Sequence, residues 1–254
     1  SQRPGFGTLI EGVSGFAALV YEIAWTRALA LLIGSSVYAF SMILTAFVLG
    51  IALGSMVYAR FVDRVRDPMR TLAVIQVAIG LSALPVVPFI GNLPFWVTGL
   101  ISLFGGSFWK LQAVEFAMIV TIMLLPTTLM GAAFPLASRL FVQTSATVGK
   151  SVGTLYASNT IGNILGSFAG GFILIPLAGI ENTLFAAVLI NVAVGGLFFA
   201  LSRTLSVTAK GLTAGAAMAV AVGGIMLTPP WSAAEMSFGP FYEAIRLSKS
   251  IARS

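Results

Sequence analysis

The chain contains no cysteine and no histidine. Without thiols, disulfides and thiolate metal sites are excluded. Without imidazole, the commonest metal ligand and the usual proton shuttle near neutral pH are missing, and most nucleophilic triads fall with them. Charge is scarce as well: 9% of the 254 residues are charged, against roughly 25% in a soluble domain. A water-soluble fold of this length cannot cover itself with so few charges. What stands in their place is apolar sequence, 58% of the chain with a mean hydropathy of +1.00. Its long runs identify an integral membrane protein whose first partner is the lipid bilayer.

A membrane span takes about 20 apolar residues. Such stretches lie at 8–33, 37–59, 71–91, 113–140, 151–178, 180–201 and 211–228. The expected fold is all-α, a polytopic transmembrane helix bundle of about seven spans over residues 1–228, followed by an extramembrane tail or junction at 229–254. The segment from Pro94 to Phe108 is apolar but only about three-quarters of a span, which predicts a short re-entrant or interfacial helix flanked by Trp96 and Trp109. The first apolar stretch is too long for a cleavable signal sequence.

Charge in the loops predicts orientation. The stretch RFVDRVRDPMR holds four arginines in eleven residues, and Arg3, Arg139, Lys150, Arg203 and Lys210 fall on the same side of seven spans. Lys110 and Glu181 fall on the other. The positive-inside rule then puts the N-terminus on the cytoplasmic side and the tail outside, against the mild opposing bias of Arg246, Lys249 and Arg253.

Small residues at a spacing of four predict close helix packing. Gly162, Gly166 and Gly170 line one face of the fifth stretch, and Gly50 and Gly54 form a shorter version in the second. Such faces suit other helices of the chain or other subunits. In the fourth stretch, Pro126 and Pro135 flank Gly131, which predicts a kinked or locally unwound helix.

Ionisable groups inside the spans are the candidates for chemistry. Glu11, Gly15, Ala18 and Glu22 share one helix face at 100° per residue, so both carboxylates lie on a stripe of small residues. A carboxylate facing lipid at mid-bilayer costs at least roughly 2.5 kcal/mol, so the stripe is expected to face protein, water or ligand. Arg27 lies about 140° round the helix from Glu22 and needs a different partner or a membrane surface. The polar partners available in other spans are Glu115, Arg139, Gln76, Asn159, Asn163 and Asn191. Three readings stand side by side: interhelical groups that fix packing, a polar cavity for a cationic or polar solute, and an interface with another subunit.

Other motifs fail. Gly149-Lys150-Ser151 resembles the end of a phosphate-binding loop, but Thr144 occupies the upstream glycine position and no strand precedes it. Gly5-Phe6-Gly7 lacks the third glycine of a dinucleotide fingerprint. No catalytic constellation, no cofactor site and no nucleic-acid-binding pattern is present in the sequence.

Four stretches together carry a family resemblance. Residues 15–55, GFAALVYEIAWTRALALLIGSSVYAFSMILTAFVLGIALGS, resemble the first helix pair of bacterial membrane proteins described as fused major facilitator/spermidine synthase-like. ARFVDRVRDPMR is similar to the loop after their second span. It is also a degenerate major facilitator loop, with Asp63 and Arg64 in place and Arg66 where a glycine is expected. Residues 155–184 resemble the family's glycine-rich later helix, and PPWSAAEMSFGPFYEA resembles the junction to its synthase domain. The resemblance implies a half-major-facilitator-like membrane domain ahead of an aminopropyltransferase-like domain that uses decarboxylated S-adenosylmethionine and a polyamine acceptor. The glycine-rich loop and acidic residues of that domain have no counterpart in this sequence, so no residue here is assigned catalysis. The implied function is a membrane domain that anchors the synthase-like domain and exchanges a polyamine-like molecule with it. The alternatives are a non-catalytic subunit of a larger membrane complex and a solute transporter working as an oligomer.

Overall fold

The structure, a computed structural model, describes residues 4–33, 36–104, 107–141, 148–202 and 204–231. Among these there are eight α-helices and no strand: α1 (Pro4–Ile33), α2 (Val37–Phe61), α3 (Pro68–Ala83), α4 (Val86–Phe104), α5 (Phe108–Phe141), α6 (Val148–Ala169), α7 (Ile175–Leu201) and α8 (Val207–Leu227). A 3-10 turn at Val62–Arg64 follows α2, and a π-helical turn at Gly170–Leu174 joins α6 to α7. Six helical runs are long and apolar enough to cross a membrane, which makes this a multi-pass helical protein.

The longest run, Gly149–Leu201, has 53 residues. At 1.5 Å per residue it would measure roughly 80 Å, more than twice a hydrocarbon core. It is broken at Gly179, whose φ of 81° and ψ of 167° are open to glycine and strained for other residues. The π-helical turn lies just before it. Pro176 has no N–H to give the preceding turn, and the Ile175 N–H reaches back five residues to the Gly170 carbonyl.

Contacts fix the helix directions. Gly12, Phe16 and Val20 of α1 meet Gly162 and Gly166 of α6 and Gly170 just after it in the same order, so this pair is parallel. Gly50 and Gly54 of α2 meet Thr127 and Thr128 of α5, again in parallel. By contrast, Gly80 of α3 lies against Val188 and Val192 of α7 while Gly195 lies against Ala73 and Val77, so α3 and the latter part of α7 are antiparallel. The chain therefore turns back at Gly179. One end of the bundle gathers the start of α1, the 62–67 loop, the end of α5 and the end of α7. The other gathers the α3–α4 turn, Gly179 and the end of α8.

Two pairs, α1–α6 and α2–α5, touch through backbone. A β-carbon on Gly162 would overlap the Gly12 carbonyl, and one on Gly166 the Phe16 carbonyl. On Gly54 it would overlap the Thr128 carbonyl, and on Gly131 the Ile51 carbonyl. Gly170 differs, because its nearest neighbour would be an ordinary 3.5 Å away. The glycine faces of α2 and α6 are thus filled by helices of the same chain. Around them the core draws chiefly on α1, α3, α5 and α7, with Tyr21 stacked on Trp25 at 5.0 Å and Phe198 fully buried.

Two expectations need correction. The local unwinding expected at Pro126 and Pro135 is absent, since α5 runs as helix through both. Pro135 leaves the Gly131 carbonyl without its usual donor, and the Ser55 hydroxyl of α2 supplies one at 2.8 Å. The segment 94–108 is not a separate short helix either: the backbone through Phe104 belongs to α4, which begins at Val86. The break falls earlier, where Pro85 and Pro88 interrupt the ladder and the Leu84 carbonyl takes the Val87 N–H instead. Trp96 and Trp109 are both exposed. Of the tail, only residues 229–231 are described.

The arginine-rich end is clasped. Asp67 caps α3 by accepting the Arg70 N–H at 3.0 Å, and its other oxygen accepts from Ser202 at 3.3 Å and from Thr204. The Arg139 guanidinium donates to the carbonyls of Val65 (3.1 Å) and Asp63 (3.3 Å). Burial alone would raise the Asp67 carboxyl, but hydrogen bonds from the Arg70 N–H, Thr204, Ser202 and the Met69 N–H outweigh it and hold the group below its usual value. At the opposite end, the Trp231 N–H donates to the Glu181 carboxylate at 3.1 Å and its indole N–H to the Val87 carbonyl at 3.0 Å.

Two predictions follow from this packing. Gly131→Ala should destabilise the detergent-solubilised protein by about 1–3 kcal/mol, as overpacking of a close contact does, whereas Gly149→Ala, with nothing within 4 Å, should melt like the parent; equal melting of the two would contradict the backbone contact. For Asp67 the folded value is depressed, so its contribution is present above the ordinary aspartate range and lost as pH falls through the folded value. The melting-temperature gap between the parent and Asp67→Asn should therefore be open at pH 7 and close on acidification below about pH 4; a gap independent of pH would refute the clasp.

Candidate functional site

Between the two glycine-packed pairs the packing is thin: α1 has few contacts with α2 or α5, and α5 has few with α6. A cavity of about 300 Å³ fills this seam. Glu11, Ser14 and Ala18 reach it from one face of α1, Ser55 and Ile51 from α2, Met130 and Phe134 from α5, Tyr156, Asn159 and Asn163 from one face of α6, and Asn191 from α7. The edge-to-face pair of Phe134 and Tyr156, centroids 6.2 Å apart, bridges α5 and α6 at its margin.

Glu11 is 2% exposed. Its surroundings are built by small residues. Gly15 has no β-carbon, and one there would stand 2.5 Å from the Asn159 carbonyl oxygen and 2.7 Å from Asn163 Oδ1, so the two asparagines can lie directly on α1. Asn159 donates from Nδ2 to the Glu11 carbonyl at 3.4 Å. Asn163 Nδ2 donates to Asn159 Oδ1 at 3.2 Å, and Asn191 Nδ2 to the Ala187 carbonyl at 3.4 Å. Behind Ser14, fully buried Gln76 donates to its hydroxyl at 2.9 Å, while Gln76 Oε1 has no partner. Among the described residues no lysine or arginine lines the space.

Of the residues singled out in the sequence, Glu11, Asn159 and Asn163 come together here. Glu22 does not line the cavity; it is half-buried three turns further along α1, with no hydrogen bond or ion pair among the described residues. Arg27 is exposed. Glu115, 4% exposed, accepts from Gln112 Nε2 at 3.0 Å on α5 and stands apart. Asp63 and Arg64 occupy the 3-10 turn, where the Asp63 carbonyl holds Arg139 and the Arg64 guanidinium lies 5.6 Å from the Phe61 ring centre. Ser14, Ser55 and Tyr156 were not foreseen as lining residues. The helical period held a signal for two of them, since Ser14 lies three residues beyond Glu11, and Tyr156, Asn159 and Asn163 are spaced three and four.

Chemically, the arrangement is one buried carboxylate among amide and hydroxyl groups with apolar walls. It can accept hydrogen bonds and one positive charge. Among the described residues no group of carboxylates is placed to hold a metal ion. Comparison with protein-family models, with curated proteins and with solved structures finds no match for this chain.

Proposed function

We propose that this chain is a seven-pass membrane domain that takes a small protonated amine into the cavity around Glu11. On the resemblance of residues 15–55 and 155–184, it anchors an aminopropyltransferase-like domain and exchanges the amine with it. The observation that carries the amine site is the buried Glu11 carboxylate, in a seam that no lysine or arginine lines among the described residues. Amide and hydroxyl groups beside it suit an ammonium, and Phe47, Ile51, Met130 and Phe134 suit a carbon chain.

The reversal at Gly179 supports seven passes, by dividing the 53-residue run in two. Orientation is supported by the asymmetry of the two ends. Arg60, Arg64, Arg66, Arg70, Arg139, Lys150 and Lys210 gather at one, with Lys110 at the other and Arg27 near the end of α1 on that same side. The positive-inside rule puts the arginine-rich end in the cytoplasm. A subunit docking on the Gly162–Gly166 face is disfavoured, because α1 already fills it.

Titration calorimetry on the purified protein with n-butylamine, putrescine and spermidine tests the site. At least one should bind, and Glu11→Gln should weaken it by roughly tenfold or more, as loss of a buried charge partner does; equal binding by the variant would remove the ligand role. Single cysteines, clean probes in a chain without native thiols, test the orientation in intact cells. Pro230→Cys should react with an impermeant maleimide from outside and Ser206→Cys only after permeabilisation. The reverse pattern would invert the topology.

A further inference from the structure

An amine site selects by the number of charges it can neutralise, and this cavity offers one. Among the described residues Glu11 is the sole acidic one in its lining. The other carboxylates in the bundle are committed or distant: Glu115 to Gln112, Glu181 to Trp231, and Glu22 beyond the lining. The other polar groups of the lining carry no charge. The Nδ2 groups of Asn159, Asn163 and Asn191 each place one N–H on a protein oxygen, and the Ser55 hydroxyl donates to the Gly131 carbonyl. What they leave to a ligand is neutral hydrogen bonding, from the second amide N–H groups, the amide oxygens and the Ser14 and Tyr156 hydroxyls.

The remainder of the wall is hydrocarbon. From Glu11 to Leu19 along α1 the lining extends about 12 Å at 1.5 Å per residue, ending among Leu19, Phe47 and Ile79, with the neutral Asn191 packed on Gly80 beside Ile79. A molecule held by its ammonium at Glu11 lays its other end in that apolar part. A second ammonium there has no counter-ion, in a region already removed from water. Such a charge is strongly disfavoured inside a membrane.

We infer that the cavity is a site for a singly charged amine with an apolar body, and that it discriminates against di- and polyamines of the same length. This rests on the cavity being an amine site at all. It departs from the polyamine that the resemblance implies.

The experiment compares n-hexylamine, 1,6-diaminohexane and spermidine by calorimetry at pH 7 and fixed ionic strength. The proteins are the parent, Glu11→Gln and Asn163→Asp, each checked for folding by its melting transition. In the parent, hexylamine should bind at least roughly tenfold more tightly than the diamine or spermidine, and Glu11→Gln should lose it. Asn163→Asp adds a second carboxylate with little change in shape and should shift the preference toward the diamine. If the diamine or spermidine binds the parent as tightly as hexylamine and depends on Glu11, the single-charge inference fails while the amine site stands. An unchanged preference in folded Asn163→Asp overturns the inference too. Absence of any Glu11-dependent amine binding removes the site and the inference together.

Discussion

Direct contact between helix backbones is the constraint on which the rest of this bundle depends. In a bilayer, apolar side chains gain little by leaving lipid for protein, so association rests on close van der Waals packing and interhelical hydrogen bonds. Here that closeness is concentrated in two parallel pairs, α1 with α6 and α2 with α5, where glycines face carbonyls across the interface. Each pair behaves as a unit because any side chain at Gly162, Gly166, Gly54 or Gly131 would push it apart. The space left between two such units does not close, and the polar cavity is that space.

The same closeness makes the polar groups affordable. Pro135 removes a backbone donor within the last two turns of a span, and only a helix as near as α2 brings Ser55 within 2.8 Å of the orphaned Gly131 carbonyl. Gly15 does the equivalent on the other pair by letting Asn159 and Asn163 rest on α1, where they surround Glu11 with amides. A carboxylate at this depth is tolerated in a polar, protein-lined seam and would not be on the lipid face. The glycines that hold the helices together therefore also decide where an ionisable group can sit.

Much of this was legible in the sequence, and the limits were physical. Hydropathy run length revealed the helical membrane class, because burying backbone in lipid leaves few alternatives to helix. Periodicity put Glu11 and Glu22 on one stripe of α1, but it has no information on where neighbouring helices end. The cavity receives Glu11 and stops short of Glu22. Spacing by fours likewise grouped Gly170 with Gly162 and Gly166. Only the latter two are pressed against backbone, because the π-helical turn that begins at Gly170 widens the helix there. For 94–108, proline positions were the better guide than run length: the pair Pro85 and Pro88 interrupts the helix, whereas Pro94 is carried within it. Ser14 and Ser55 escaped notice because serine is common in membrane helices and acquires meaning only from what it faces.

Both ends of the bundle are tied in ways that protect the seam. At the arginine-rich end, Asp67 joins the start of α3 to the segment after α7, while Arg139 joins the end of α5 to the loop after α2. At the far end, Trp231 ties the segment after α8 to Glu181 and to the Val87 carbonyl. The Arg139 tie reinforces the glycine-packed α2–α5 pair and the Asp67 tie the α3–α7 contact at Gly80 and Gly195, so they add to those contacts at the ends of the helices. Sliding along the helix axes would break hydrogen bonds at the ends. Separation of the two glycine-packed pairs would break few contacts within either. The bundle is thus stiff along its axes and least constrained across the seam that holds Glu11, and Phe134 and Tyr156 form the one aromatic contact among the described residues that crosses it between α5 and α6.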